Sequence, residues 1–180
     1  RMSEAIVTLK KGEGRMLKSG GLWIFDNEIA SILGSFEDGA VRYDFEYAVK
    51  LAGHGCPTVL CSFLAADRVS KALYKGAPAV RGDVKIEIKN KKDDGTTGVT
   101  ASIFSAIFGA SDEGGFKGLG GVYARDKRLF FGSDIDTFAK FTRLDNGKAV
   151  TLDFNFSGIQ KIPGPDLSSA FAKYQKGLDV

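Results

Sequence analysis

Ala139-Lys140-Phe141-Thr142-Arg143-Leu144-Asp145-Asn146-Gly147-Lys148-Ala149-Val150-Thr151-Leu152-Asp153-Phe154-Asn155-Phe156 reads as strand, turn, strand. Asn146-Gly147 readily supplies the positive φ of a tight turn, so the runs 139–144 and 149–156 are expected to pair antiparallel. Two apolar stretches of helical length lie upstream. Thr58 to Ala66 continues toward Tyr74, with Pro57 tolerated in the first turn and Gly76 as a stop. Val99 to Phe108 places Ile103 and Ile107 on one stripe, Phe104 and Phe108 on the next, and Gly109 ends it. Between them, Val84, Ile86 and Ile88 alternate with Lys85, Glu87 and Lys89, the period-two pattern of a strand with one wet face. Phe45, Val49 and Ala52 recur at helical steps and run into the break Gly53-His54-Gly55-Cys56-Pro57. The order over residues 43–156 predicts an α+β fold: a helix–strand–helix–three-strand core with the helices packed on one mixed or antiparallel sheet. Val122–Ala124 and Leu129–Phe131 are expected to pair through a turn, and Leu167–Tyr174 to form a short C-terminal helix.

Working outward, the 180 residues suffice for one main core, and 43% hydrophobic with 26% charged residues excludes a disordered or collagen-like chain. A net charge of +3 is too small for total charge to announce nucleic-acid binding. No apolar run approaches the roughly 18 residues needed to cross a bilayer, and residues 1–12 lack the apolar run of a secretory signal. A cytoplasmic protein with no membrane partner is expected. Cys56 and Cys61 are too few for a disulfide framework and fit a reducing compartment.

The pattern divides near residue 42, which sets an N-terminal extension, 1–42, apart from a main domain, 43–180. In the extension, Ala5–Leu9 and Leu22–Phe25 read as strands, and Arg15–Ser19 as one helical turn stopped by Gly20-Gly21. The segment has too few apolar positions for a core of its own and must dock on something. Lys10, Lys11, Arg15 and Lys18 face only Glu13 among the acids of that stretch, making it locally basic.

Chemistry concentrates at the break. His54, the chain's one histidine, lies two residues from Cys56 just before a helix. A His-x-Cys spacing in an irregular segment can aim imidazole nitrogen and thiolate sulfur at one metal, a donor pair suited to zinc, copper or iron. A thiol at a helix N-terminus is also easier to ionise. The plain structural alternative, a packed histidine beside a small buried cysteine, is equally compatible with the sequence. One His and two Cys cannot supply four N/S ligands, so a site here needs Asp, Thr, water, a ligand or another protein chain. Cys61 reads as a small apolar core residue. Asp93 and Asp94 could donate oxygen or act as a base, although adjacent acids before glycine more often form a solvated turn. The run 114–121 is too rich in glycine for a helix and wraps close to another backbone or a ligand; it lacks the Lys-Ser/Thr ending of a P-loop. No Ser-His-Asp arrangement can be drawn.

The stretch Gly53-His54-Gly55-Cys56-Pro57, the apolar helix after it, Gly98-Val99-Thr100-Ala101-Ser102-Ile103, and Phe141-Thr142-Arg143-Leu144-Asp145-Asn146-Gly147-Lys148-Ala149-Val150 resemble the formylmethanofuran dehydrogenase E-like family over about residues 43–156. The resemblance implies an α+β metal-binding module whose Gly-His-x-Cys-Pro motif supplies ligands, here His54 and Cys56. Where that family often has a further histidine and a later cysteine, this chain has Ala52 and Thr97. The resemblance implies zinc foremost, and these two departures leave room for weaker coordination, another metal or haem. Thr97, Gly115 and Gly118 are the expected cofactor-binding positions, the Gly-rich loop forming one wall. Leu9-Lys10-Lys11-Gly12, Arg15, Leu17 and Trp23-Ile24-Phe25-Asp26-Asn27-Glu28-Ile29 resemble the opening of the PUA-like RNA-binding domain at the front of some ribosomal-RNA methyltransferases. About half of such a domain is present, and no methyltransferase motif follows.

The leading expectation is therefore a metal- or metallocofactor-binding module that forms a homo-oligomer, a dimer. A second is an RNA-binding accessory protein using Lys10, Lys11, Arg15 and Lys18, and a third an enzyme whose metal activates water or a sulfur substrate beside Asp94.

Overall fold

A computed structural model describes residues 3–8, 22–25, 40–120 and 122–155. Strands β1 (Ser3–Thr8), β2 (Leu22–Phe25) and β3 (Ala40–Tyr43) precede two helices, α1 (Phe45–Ala52) and α2 (Pro57–Tyr74). There follow β4 (Ala79–Val80), β5 (Val84–Ile88), helix α3 (Thr97–Phe108), β6 (Leu129–Phe130), β7 (Ala139–Arg143) and β8 (Ala149–Asn155). The fold is α+β. Helix α2, strand β5, helix α3 and strands β6 to β8 reproduce the expected helix–strand–helix–three-strand order.

The main sheet is mixed and runs β1-β8-β7-β5-β6. Strands β7 and β8 pair antiparallel, with Phe141 opposite Val150, as the Asn-Gly turn requires. Strand β5 pairs antiparallel with β7, while β1 and β6 add parallel to β8 and β5. On β5, Val84, Ile86 and Ile88 are buried; Lys85 and Glu87 lie on the wetter face and pair at 3.1 Å. The buried face of the sheet meets α3 through Phe141, whose ring centroid lies 5.1 Å from Phe104 and 5.5 Å from Phe108. Helix α2 packs on α3, β8 and β1 and buries Val59, Phe63, Val69 and Leu73. Among the described residues no helix is long and apolar enough to cross a membrane.

The extension docks, as its thin apolar content demands. Strand β1 takes an edge of the main sheet, and β2 sits between β3 and β4 in a second, three-stranded sheet. The sequence reading missed β3 and β4, which are four and two residues long and exist through their pairing with β2. It also mispaired Leu129–Phe131. Leu119 and Val122 close a tight turn on each other, leaving β6 to lie parallel to β5, with the Ile86 amide donating to Arg128 O at 2.7 Å. Arg15–Ser19 and Leu167–Tyr174 lie outside the described residues.

Helix ends are secured by groups from elsewhere in the chain. The carbonyl end of α3 has no basic residue in its last turn; instead Arg81 donates to Ala106 O from Nε at 3.2 Å and Nη2 at 3.0 Å. The buried Arg125 guanidinium lies so close that a Cβ built on Gly82, at φ +86°, falls 2.1 Å from its Nη1. At the end of α2, Lys148 from the hairpin donates to Ala72 O and Leu73 O, and the Arg143 guanidinium lies 4.1 Å from the Tyr74 ring centroid.

Phe141→Ala should cost about 3–5 kcal/mol in urea unfolding, since the ring is fully buried between two others. Gly147→Ala meets open space and carries only left-handed backbone strain, about 1–2 kcal/mol. Gly82→Ala adds the displaced guanidinium and should cost about 1–3 kcal/mol beyond that; equal losses for both glycines would show that the Arg125 guanidinium does not confine Gly82.

Candidate metal-binding bend

Between α1 and α2 the chain turns within four residues. Asp44 starts α1 by accepting from the Tyr47 amide at 2.9 Å, and Gly53 ends it at φ +77°. Pro57 opens α2, because a first-turn residue needs no amide hydrogen there. Cys56 is the residue before it, extended at φ −108° and ψ 170°, and so becomes the N-cap. Cap geometry therefore aims its thiol back over the first turn of an eighteen-residue helix.

His54 is exposed, and its Nδ1 lies 3.0 Å from Ala52 O. A carbonyl only accepts, so Nδ1 is the donor in this contact and Nε2 is the ring nitrogen it leaves unused, the tautomer that a ligating histidine would need. Cys56 is half-buried. Burial alone would push its thiol up; the amides of Val59 and Thr58 and then the His54 imidazole outweigh that and bring it below the ordinary thiol range. The thiol forms no cap hydrogen bond of ordinary geometry, so the amides act on the sulfur as a diffuse positive end. The His54 imidazole therefore lies near enough to the Cys56 thiol to favour its ionisation. Among the described residues no group of three or more His, Cys, Asp or Glu side chains that could hold a metal ion is present, at this bend or elsewhere.

The other expected positions are disposed differently. Cys61 is buried on α2, its pKa raised by burial and then by the charge of Cys56. It lines a cavity of about 270 Å³ that also holds Ser62 and Thr100, whose hydroxyls are 3.0 Å apart. Thr97 is buried in the first turn of α3, its amide donating to Asp94 O. Asp94 also accepts from the Lys91 amide at 2.9 Å and so serves the turn before α3, with Asp93 exposed beside it. Gly115 and Gly118 spend their close approaches on the protein itself: a Cβ at Gly115 would meet the Ser111 Cβ at 2.6 Å and the Asp126 backbone at 2.8 Å, and one at Gly118 would meet Val122 O at 2.2 Å. Lys10, Lys11, Arg15 and Lys18 lie outside the described residues.

One feature next to the bend had no signal in the spacing of motifs. Leu51 and Ala52, at the end of α1, form a wall of a cleft of about 410 Å³ with Lys92, Gly98 and Ser102. The cleft continues along α3 into a second of about 380 Å³ that reaches Asp112, Gly114 and Phe131. Small residues at positions 98, 102, 105 and 106 were the available clue.

Residues 7–42 match the PUA-like domain family. No curated protein and no solved structure matches the chain.

Thiol chemistry tests the geometry of the bend. Iodoacetamide followed by mass spectrometry should modify Cys56 well before Cys61. A lowered pKa keeps the thiolate populated at lower pH, so the Cys56 rate profile should sit below that of a free thiol, and His54→Ala should move it upward. Identical rates for the two cysteines, or a profile unmoved by His54→Ala, would contradict the pairing.

Proposed function

We propose that the chain is a metal- or metallocofactor-binding module of the formylmethanofuran dehydrogenase E-like kind, with His54 and Cys56 as ligands. The observation that carries this reading is an exposed imidazole, held by Ala52 O, two residues from a thiol whose ionisation the α2 N-terminus and His54 favour. Nitrogen and sulfur donors suit zinc first among the common ions. Two protein donors leave coordination positions for water, a small ligand, a cofactor or a group from another chain. A reducing, cytoplasmic setting fits two free cysteines, and a homo-oligomer belongs to the same reading.

Metal content of purified protein tests it. Wild type should retain zinc through gel filtration, His54→Ala and Cys56→Ala should each lose about 90% or more of it, and Cys61→Ala should keep it. Retention should fall on acidification, as protons compete for the Cys56 thiolate. Equal metal in wild type and both ligand variants would end the proposal.

The match of residues 7–42 to a PUA-like domain favours a second reading, RNA binding through the basic extension. Four phosphate contacts from Lys10, Lys11, Arg15 and Lys18 correspond to a slope of about −3 for log affinity against log salt on single-stranded RNA. Replacing all four with alanine should flatten it. Retention that ignores salt would remove this alternative.

A further inference from the structure

Close-packed protein interiors hold few voids larger than a water molecule. The cavity beside Cys61, of about 270 Å³, is one, and it lies between α2, α3 and the place where β7 begins and β8 ends. Its deep wall is polar. Ser62 is fully buried and Thr100 is 3% exposed. The Ser62 hydroxyl lies 2.7 Å from Thr58 O and 3.0 Å from the Thr100 hydroxyl, yet it has a single proton to give. If Thr58 O takes that proton, Thr100 donates to Ser62 and keeps both lone pairs open. If Thr100 takes it, the proton of Thr100 is left over. Either way Thr100 retains hydrogen-bonding capacity that no other described residue uses. A hydroxyl on a ligand answers both arrangements, because it donates and accepts.

The mouth has the opposite character. Asp153 is exposed, and its Oδ1 accepts from the Phe138 amide at 2.8 Å, which holds the carboxylate at the Phe138 end of the cavity. Among the described residues no cation pairs with it, and of those lining the cavity it alone is charged. The positive ends of the two helices are offset locally: the Thr58 and Val59 amides bear on the Cys56 sulfur, and Asp94 stands two residues before the Thr96 cap of α3. Between mouth and floor, Phe138 and Phe154 meet edge to face, with centroids 5.0 Å apart. Rings and a carboxylate together favour a cation and disfavour an anion. The volume falls just below that of drug-sized pockets, so the occupant is small.

We propose that this cavity binds a small hydroxylated aromatic amine, with its hydroxyl on the Ser62–Thr100 pair, its ring against Phe138 and Phe154, and its ammonium at Asp153. Neither His54 nor Cys56 lines the cavity, so the proposal stands apart from the metal reading.

Calorimetric titration of the full chain with tyramine tests it. Saturable binding is expected, with a Kd on the order of 1 mM or tighter for so small a ligand. Phenethylamine, which lacks the hydroxyl, should bind about 10-fold more weakly, and 4-hydroxyphenylacetate, with the charge reversed, more weakly still. Asp153→Asn keeps an acceptor for the Phe138 amide and should weaken tyramine about 10-fold. Thr100→Val, close in shape, should bring tyramine and phenethylamine to equal affinity; if it does not fold, the two amines on wild type test the same contact. No saturable binding of tyramine, equal binding of the amine and the carboxylate, equal binding of the two amines to wild type, or unchanged tyramine affinity in folded Asp153→Asn would each overturn the proposal.

Discussion

The structure depends on Phe141 lying against Phe104 and Phe108, because this contact joins the helix layer to the sheet. Its ring stands on β7, the central strand of the main sheet, and is fully buried. Helix α3 brings no charge of its own to hold it in place, so burial of its aromatic and aliphatic side is what fixes its position. Once α3 is set, α2 has a surface to pack on, and the start of α2 determines where the bend and Cys56 lie.

Apolar helices leave their end carbonyls to be satisfied by others. Arg81 serves α3, while Lys148 and Arg143 from the hairpin serve α2. These contacts do more than neutralise helix dipoles: they tie the C-terminal ends of α2 and α3 to segments far away in the chain. The N-terminal end of α2 is left with a cysteine cap rather than a serine, threonine or aspartate. A weaker cap at that position leaves the amides available to polarise a thiol, which connects the local cost at the helix end to the chemistry of the bend.

The candidate site was legible in part. His54 and Cys56 stand out because glycines flank the histidine and a proline follows the cysteine, and chain geometry at a helix start constrains both side chains. The roles of Gly115 and Gly118 could not be separated by sequence, since a glycine needed for a ligand and one needed for backbone both show only the absence of Cβ. Here the nearest atoms are those of Ser111 and Asp126 for Gly115 and of Val122 for Gly118. Asp94 likewise proved to be tied to the Lys91 amide and the turn before α3, which a count of nearby acids does not reveal.

By itself the sequence determined the elements whose signal is local: both long helices from their apolar runs and stops, β5 from its alternation, and the β7–β8 hairpin from Asn146-Gly147. Tertiary structure alone decided the existence of β3 and β4, the parallel pairing of β6 with β5, and the union of Leu51 with the outer side of α3 in one groove. The physical reason is range. Periodicity and turn chemistry act over a few residues, whereas a two-residue strand or a groove between helices is defined by partners distant in the chain, whose meeting only the packed core enforces.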